Sequence, residues 1–240
     1  MIVTPGVAPG FDRFCDEKLI RQLREIGGPS LMSVIAPDRD YSITVAGGAV
    51  SSAVDQTGQG NDATQATPAN RPTHNQATDS IDFVAASSQY LQWMVPNAAA
   101  GTIWAWAKCT NAITSPRIMG VRQALPNRHC TMLYHGGGNF YVQIGSLSVD
   151  TGIAHSLNVW HFFALTWEIP GNYAAYYDGS STSGAIAGTL STIALYVGAM
   201  NDIGAAVQFL PGSIGQHGIL NRACTAAEIA AIRAITYRAP

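Results

Sequence analysis

Apolar and polar residues alternate in short runs along most of this chain, and glycine, asparagine and aspartate punctuate the runs. That two-residue period belongs to strands. It predicts strands over residues 31–36, 41–45, 49–54, 80–84, 90–94, 102–108, 118–121, 131–134, 140–144, 161–167, 173–177, 195–198 and 213–220. Residues 55–73 are polar, rich in turn formers and without an apolar period, so they read as a loop. Two segments follow a helical period instead. In residues 11–26, Phe11, Phe14, Cys15, Leu19, Ile20, Leu23 and Ile26 fall on one side of a helical wheel, and Gly27-Gly28-Pro29 ends it. At the other end, Thr225 and Glu228 have the spacing of a capping box. Ile229, Ile232 and Ile235 then form an apolar stripe.

This pattern predicts an all-β, antiparallel sandwich or barrel, with an N-terminal helix and a short C-terminal helix. Residues 1–28 form an arm and amphipathic helix, and residues 29–240 the β domain. The first strand is expected to lie antiparallel to the closing strand, 213–220. The N-terminal helix has two readings. It packs on its own sandwich, or it docks into a larger assembly through Phe11, Phe14, Leu19 and Leu23.

Composition narrows the function. Only 12% of the 240 residues are charged and 47% are hydrophobic, which excludes a disordered chain and suits packed strands with partly covered surfaces. The net charge is -2 and basic residues are scattered singly, so nucleic acid has no electrostatic footing. No run of 18 apolar residues offers a membrane span. The first ten residues lack a basic segment followed by an apolar one, so no secretion signal is expected. Cys15, Cys109, Cys130 and Cys224 show no C-x-x-C spacing and read as buried free thiols, with a Cys109–Cys130 bridge left open.

Catalytic chemistry is sparse. Glycoside hydrolysis needs two facing carboxylates. Glu168 is the one glutamate outside the helical segments, and no second carboxylate lies within eight residues of it. His74, His129, His135, His155, His161 and His217 form no zinc-binding motif, and there is no G-x-S-x-G elbow, although a Ser/His/Asp trio remains open. A non-enzymatic protein is expected. By the two-residue repeat, Trp104 and Trp106 share one face, as do Trp160 and Phe162; His161, Phe163, Leu165 and Trp167 face the other way. Sugars stack on exposed aromatic faces. Trp93, Tyr134, His135, Tyr141 and Tyr173, near turns, are the glycan-binding candidates.

Several segments, in order, resemble laminin-G-like, concanavalin A-like jelly-roll domains. They are the Gly-rich run Asp55–Gln65, Ala69-Asn-Arg-Pro-Thr73, Ile81-Asp-Phe83 with Gln89-Tyr-Leu91, Thr102-Ile-Trp-Ala-Trp106, Trp160-His-Phe-Phe-Ala-Leu165, Tyr176-Tyr-Asp-Gly179, and the ending from Gly212 to Ile229. The first two are similar to the versions in tailed-phage and prophage proteins. The resemblance covers residues 30–240 and implies an antiparallel two-sheet jelly-roll sandwich of the concanavalin A-like kind. It implies a structural or adhesion component of a phage virion (tail, baseplate or capsid decoration), made in the host cytoplasm, with other virion proteins as partners. It also implies a homo-oligomer and recognition of host surface polysaccharide. The alternatives are a lectin module of a bacterial surface protein and, further off, a glycan hydrolase. Many relatives carry an aspartate near calcium where this chain has Gly215, and an acidic cluster where it has residues 84–88. The loss of these carboxylates argues for no cofactor. Were calcium bound, Asp55, Asn61 and Asp62 would be its ligands; otherwise they cap turns.

Overall fold

The structure is a computed structural model. It describes residues 13–38, 42–93, 99–112, 115–123, 128–134, 136–187 and 194–236, with side chains described throughout these except at 13–17, 123, 128 and 129. The strands are β1 (Leu31–Ile35), β2 (Ile43–Ala46), β3 (Ala49–Ala53), β4 (Ala63–Thr64), β5 (Thr73–Asn75), β6 (Ser80–Phe83), β7 (Leu91–Trp93), β8 (Ala100–Cys109), β9 (Arg117–Gln123), β10 (Arg128–Tyr134), β11 (Asn139–Gly145), β12 (Leu147–Ala154), β13 (His161–Glu168), β14 (Gly171–Tyr177), β15 (Ser180–Ile186), β16 (Leu195–Val197), β17 (Met200–Asp202), β18 (Ala205–Val207) and β19 (Gly212–Leu220). Helix α1 (Arg13–Gly27) precedes them and α2 (Ala226–Thr236) follows.

Two sheets stack as a jelly-roll sandwich. The first runs β15-β14-β13-β8-β19-β6-β5, with β1 also on β19; the second runs β12-β11-β10-β9-β16-β7-β4-β3-β2. Pairing is antiparallel except where β17 runs parallel to β9. The closing strand holds the first sheet together. Its residues 212–214 pair with β6, and Leu220 to His217 pair antiparallel with Leu31 to Ile35, as the sequence predicts.

Strands β8 and β13 lie side by side and are buried on both faces. Their inner side chains, including Ile103, Phe163, Leu165 and Trp167, fill the space between the sheets. Their outer ones, Trp104, Trp106, Phe162 and Ala164, would face water in a bare sandwich. Helices α1 and α2 cover them, through Leu19, Leu23, Ile229 and Ile232. The face assignments expected from the two-residue repeat therefore hold. So does the capping box. The Thr225 N–H donates to Glu228 Oε2 at 2.8 Å, and the Glu228 N–H donates to Thr225 Oγ1 at 3.3 Å. Arg222 grips both Glu228 oxygens at 2.6 and 2.9 Å and donates to the Ile26 carbonyl at 2.6 Å, which fastens the start of α2 to the end of α1.

The described part of the apolar stripe on α1 packs on the chain's own sandwich. Leu19 and Leu23 are 5% and 1% exposed, against the outer face of their own sheet. Phe11 lies outside the described residues, as does the Phe14 side chain. Some corrections concern strands. The loop expected over 55–73 contains β4, two residues long, with Ala63 buried between β3 and β7. Edge strands β5, β12 and β15 were not predicted, nor was the hairpin β17–β18. An edge strand needs one neighbour and only partial burial, so sequences such as Ser180-Ser-Thr-Ser-Gly184 carry little apolar signal.

Candidate functional site

A groove of about 570 Å³ opens on the outer face of the first sheet, where α2 stops covering it. That is within the usual range for small-molecule sites, about 300–1,000 Å³. The floor is aromatic: Trp106, Trp160, Phe162 and Tyr176. The wall is α2. Ala226, Ala230 and Ala234 are spaced by four residues and fall on one helix face. All three are exposed. Larger side chains there would close the groove; alanine leaves it open. The opposite rim is the turn between β14 and β15. Asp178 and Gly179 both have positive φ, 49° and 98°, the geometry of a tight two-residue hairpin turn. A Cβ at Gly179 would stand 2.9 Å from Arg233 Nη1, so glycine also lets the arginine lie against the turn.

Most of the floor is locked. Trp106 Nε1 donates to Thr236 Oγ1 at 2.9 Å, and Phe162 is fully buried. Trp160 differs, being half-buried at the start of β13. Its ring has Gly215 beside it and the Lys108 ammonium 5.4 Å from its centroid. The glycine that replaces the relatives' aspartate therefore sits next to the indole.

Asp178 links the groove to the sandwich end. Its Oδ2 accepts from His161 Nδ1 at 2.5 Å, its Oδ1 accepts the Phe162 N–H at 2.8 Å, and Arg233 Nη2 lies 3.9 Å from Oδ1. Burial pushes its pKa up, but the hydrogen bonds from His161 and Phe162 outweigh this, so the carboxyl is held below its ordinary value. His161 Nε2 in turn meets the hydroxyl of exposed Ser156 at 2.7 Å. The His161 ring stacks on Tyr177 at 4.7 Å. Serine, histidine and aspartate are thereby in line. The Ser156 N–H, however, is already directed to the Tyr177 hydroxyl at 3.3 Å.

The residues singled out as sugar platforms lie elsewhere. Trp93 and Tyr134 are wholly buried and Tyr173 is 7% exposed, because each is an inward position of its strand. None presents a face to a sugar. Tyr141 is half-buried on β11, away from the groove, and His135 lies outside the described residues. Proximity to a turn did not reveal which way these side chains point. The groove residues had signals of their own: the Asp178-Gly179 pair is a strong hairpin signature, and Trp160 stands at a strand start.

The Gly-rich loop is closed on itself. Asp55 Oδ1 accepts the N–H groups of Val34 and Thr57, and its Oδ2 accepts the Thr57 hydroxyl and the Asn61 N–H. Asp62 Oδ1 caps the Asp55 N–H at 2.8 Å. These side chains make Asx-type turn bonds. Among the described residues no group of three or more histidine, cysteine, aspartate or glutamate side chains could hold a metal. Cys109, Cys130 and Cys224 are buried free thiols; burial raises Cys109 to about 11 and Cys130 to about 12.

Residues 75–230 match the family model described as the concanavalin A-like lectin/glucanases superfamily. The chain belongs to that superfamily. No curated protein matches it. Among solved structures, this superfamily member is similar to the sialidase of Trypanosoma rangeli, with a TM-score of 0.59 and 13% identity over 90% of this chain and 38% of that one. The same enzyme in complex with the inhibitor DANA gives 0.58 and 14%, over 90% and 37%. A Ruminococcus gnavus sialidase CBM40 bound to α2,3-sialyllactose gives 0.48 and 16%, over 59% and 84%. The chain thus spans well under half the length of the trypanosomal enzyme. At these identities the likeness concerns the fold.

Proposed function

We propose that the chain is a non-catalytic glycan-recognition module of a phage virion, and that it holds sugar in the groove between α2 and the outer face of the first sheet. The carrying observation is Trp160, a half-buried indole in a cleft whose helix wall is alanine. An aromatic face with polar groups at its rim is the arrangement that stacks a sugar ring and bonds its hydroxyls. The virion setting rests on the phage-like form of Asp55–Gln65 and Arg71-Pro-Thr73, and mass spectrometry of purified particles would test it. The binding test is a glycan array of bacterial surface oligosaccharides, probed with the wild type, Trp160→Ala and Ala230→Phe. Binding lost in both variants with unchanged melting supports the groove; binding retained in both refutes it.

The Ser156–His161–Asp178 line favours a second reading, acyl transfer from an ester. The engaged Ser156 N–H, which is not free to stabilise an oxyanion, weighs against it. Labelling by a fluorophosphonate probe that disappears in Ser156→Ala would establish it.

A further inference from the structure

Resting on the glycan reading of the groove, we infer that its ligand is an acidic sugar, whose carboxylate is held by Arg233. The described arginines differ in how far their donors are spent. Arg222 is bidentate on Glu228 and reaches a carbonyl besides. Arg122 is bidentate on Asp202, with both contacts at 2.7 Å. Arg71 donates to three backbone carbonyls. Arg233, 39% exposed at the groove, has an ion pair with Asp178 at 3.9 Å, too long for a hydrogen bond. Its planar fork of five N–H donors is matched to a carboxylate, and among the described residues no partner fills that match.

Asp178 does not fill the role. Its Oδ2 is taken by His161 and its Oδ1 by the Phe162 N–H, so it stands near the arginine as a fixed, ionised neighbour. It orients Arg233 without saturating it. A second cation, Lys108, stands on the same outer face beside Trp160. Arg233 and Asp178 thus line the groove, and Lys108 lies over the indole that lines it as well, in a protein whose net charge is -2. Neutral sugars would leave that local excess unmatched. A sugar with its ring on Trp160 and its carboxylate on Arg233 uses both features, and the Ser181 hydroxyl at the rim adds a polar contact for the ring hydroxyls.

The experiment is titration calorimetry with three probes: a glucuronic-acid-terminated disaccharide, the same disaccharide ending in glucose, and the methyl ester of the first. The acid should bind about tenfold more tightly than the other two, the worth of one charge-assisted bidentate pair. Arg233→Gln should bring the acid down to the level of the glucose analogue, and Arg233→Lys should fall between. The ester arm needs no variant, so it decides the matter even if Arg233→Gln unfolds α2. Equal binding of all three, lost in Trp160→Ala, overturns the acidic preference and leaves glycan recognition standing. A preference for the acid that survives Arg233→Gln also overturns the assignment. Binding of none overturns both readings.

Discussion

His217 makes the stability of this sandwich depend on pH in a narrow and calculable window. The imidazole sits on β19 with no exposed surface, edge-on to Trp93 at 5.0 Å. Its Nδ1 is bonded to the Gly215 carbonyl at 2.8 Å, while Nε2 is buried with no hydrogen-bond partner among the described residues. Burial lowers its pKa from 6.5 to about 4, against the opposing pull of the Gly215 carbonyl. The folded state therefore resists a proton that the unfolded state accepts. Stability is full above the unfolded value and falls as pH drops through 6.5 towards about 4. Each pH unit inside that window costs up to about 1.4 kcal/mol. Integrated from pH 7 to pH 5, the loss is about 2 kcal/mol. Urea unfolding at a series of pH values measures it, with His217→Asn as the reference that cannot titrate. The carboxylates held low by their partners, Asp178 and Glu228, act at more acid pH and are common to both proteins. Their contribution cancels in the difference. A wild type and variant whose stabilities fall in parallel between pH 7 and pH 5 would refute the reasoning.

Two further outcomes are expected. Leu23→Ala opens a cavity between α1 and the outer face of the first sheet and should cost about 2–4 kcal/mol in denaturant unfolding; a neutral result would mean that the helix is not seated there in solution. Glu228→Gln removes the anion shared by Arg222 and the Thr225 N–H, and should cost about 1 kcal/mol or more with early loss of helical circular dichroism, whereas an unchanged melting curve would separate the cap from stability.

Where burial follows the period, the sequence was a good guide. The alternation in β8 and β13 placed Trp104, Trp106 and Phe162 opposite Ile103, Phe163 and Leu165. The capping box located the start of α2, and the pairing of β1 with β19 was foreseeable from the family-like ending. The site was another matter. Trp93, Tyr134 and Tyr173 carry the same residue types as Trp160, and nothing local says which lies in a cleft. That is decided by the width of α2 above the sheet, a tertiary fact. The two readings of the N-terminal helix stood side by side for a related reason. An amphipathic stripe requires a partner surface without naming it, and for Leu19 and Leu23 that surface is the outer face of the chain's own sheet.

That outer face explains why a groove exists at all. Two adjacent central strands, β8 and β13, present large aromatic side chains outward, so the sheet must be covered on its outer face as well as between the sheets. Helix α1 supplies Leu19 and Leu23, and α2 supplies Ile229 and Ile232. Coverage ends where α2 turns its alanines, Ala226, Ala230 and Ala234, towards β14 and β15. If burial alone shaped this surface, larger apolar residues at these three positions would close the gap over Trp160 and add stability, since removing apolar area from water contributes about 25 cal/mol per Å². The gap is instead kept open, rimmed by Arg233 and the Asp178-Gly179 turn. Filling it should therefore separate the two roles of the helix. Ala230→Phe is expected to leave the melting temperature unchanged or raised and to abolish sugar binding. A variant that binds as well as the wild type would show that the opening is only a consequence of how the helices pack.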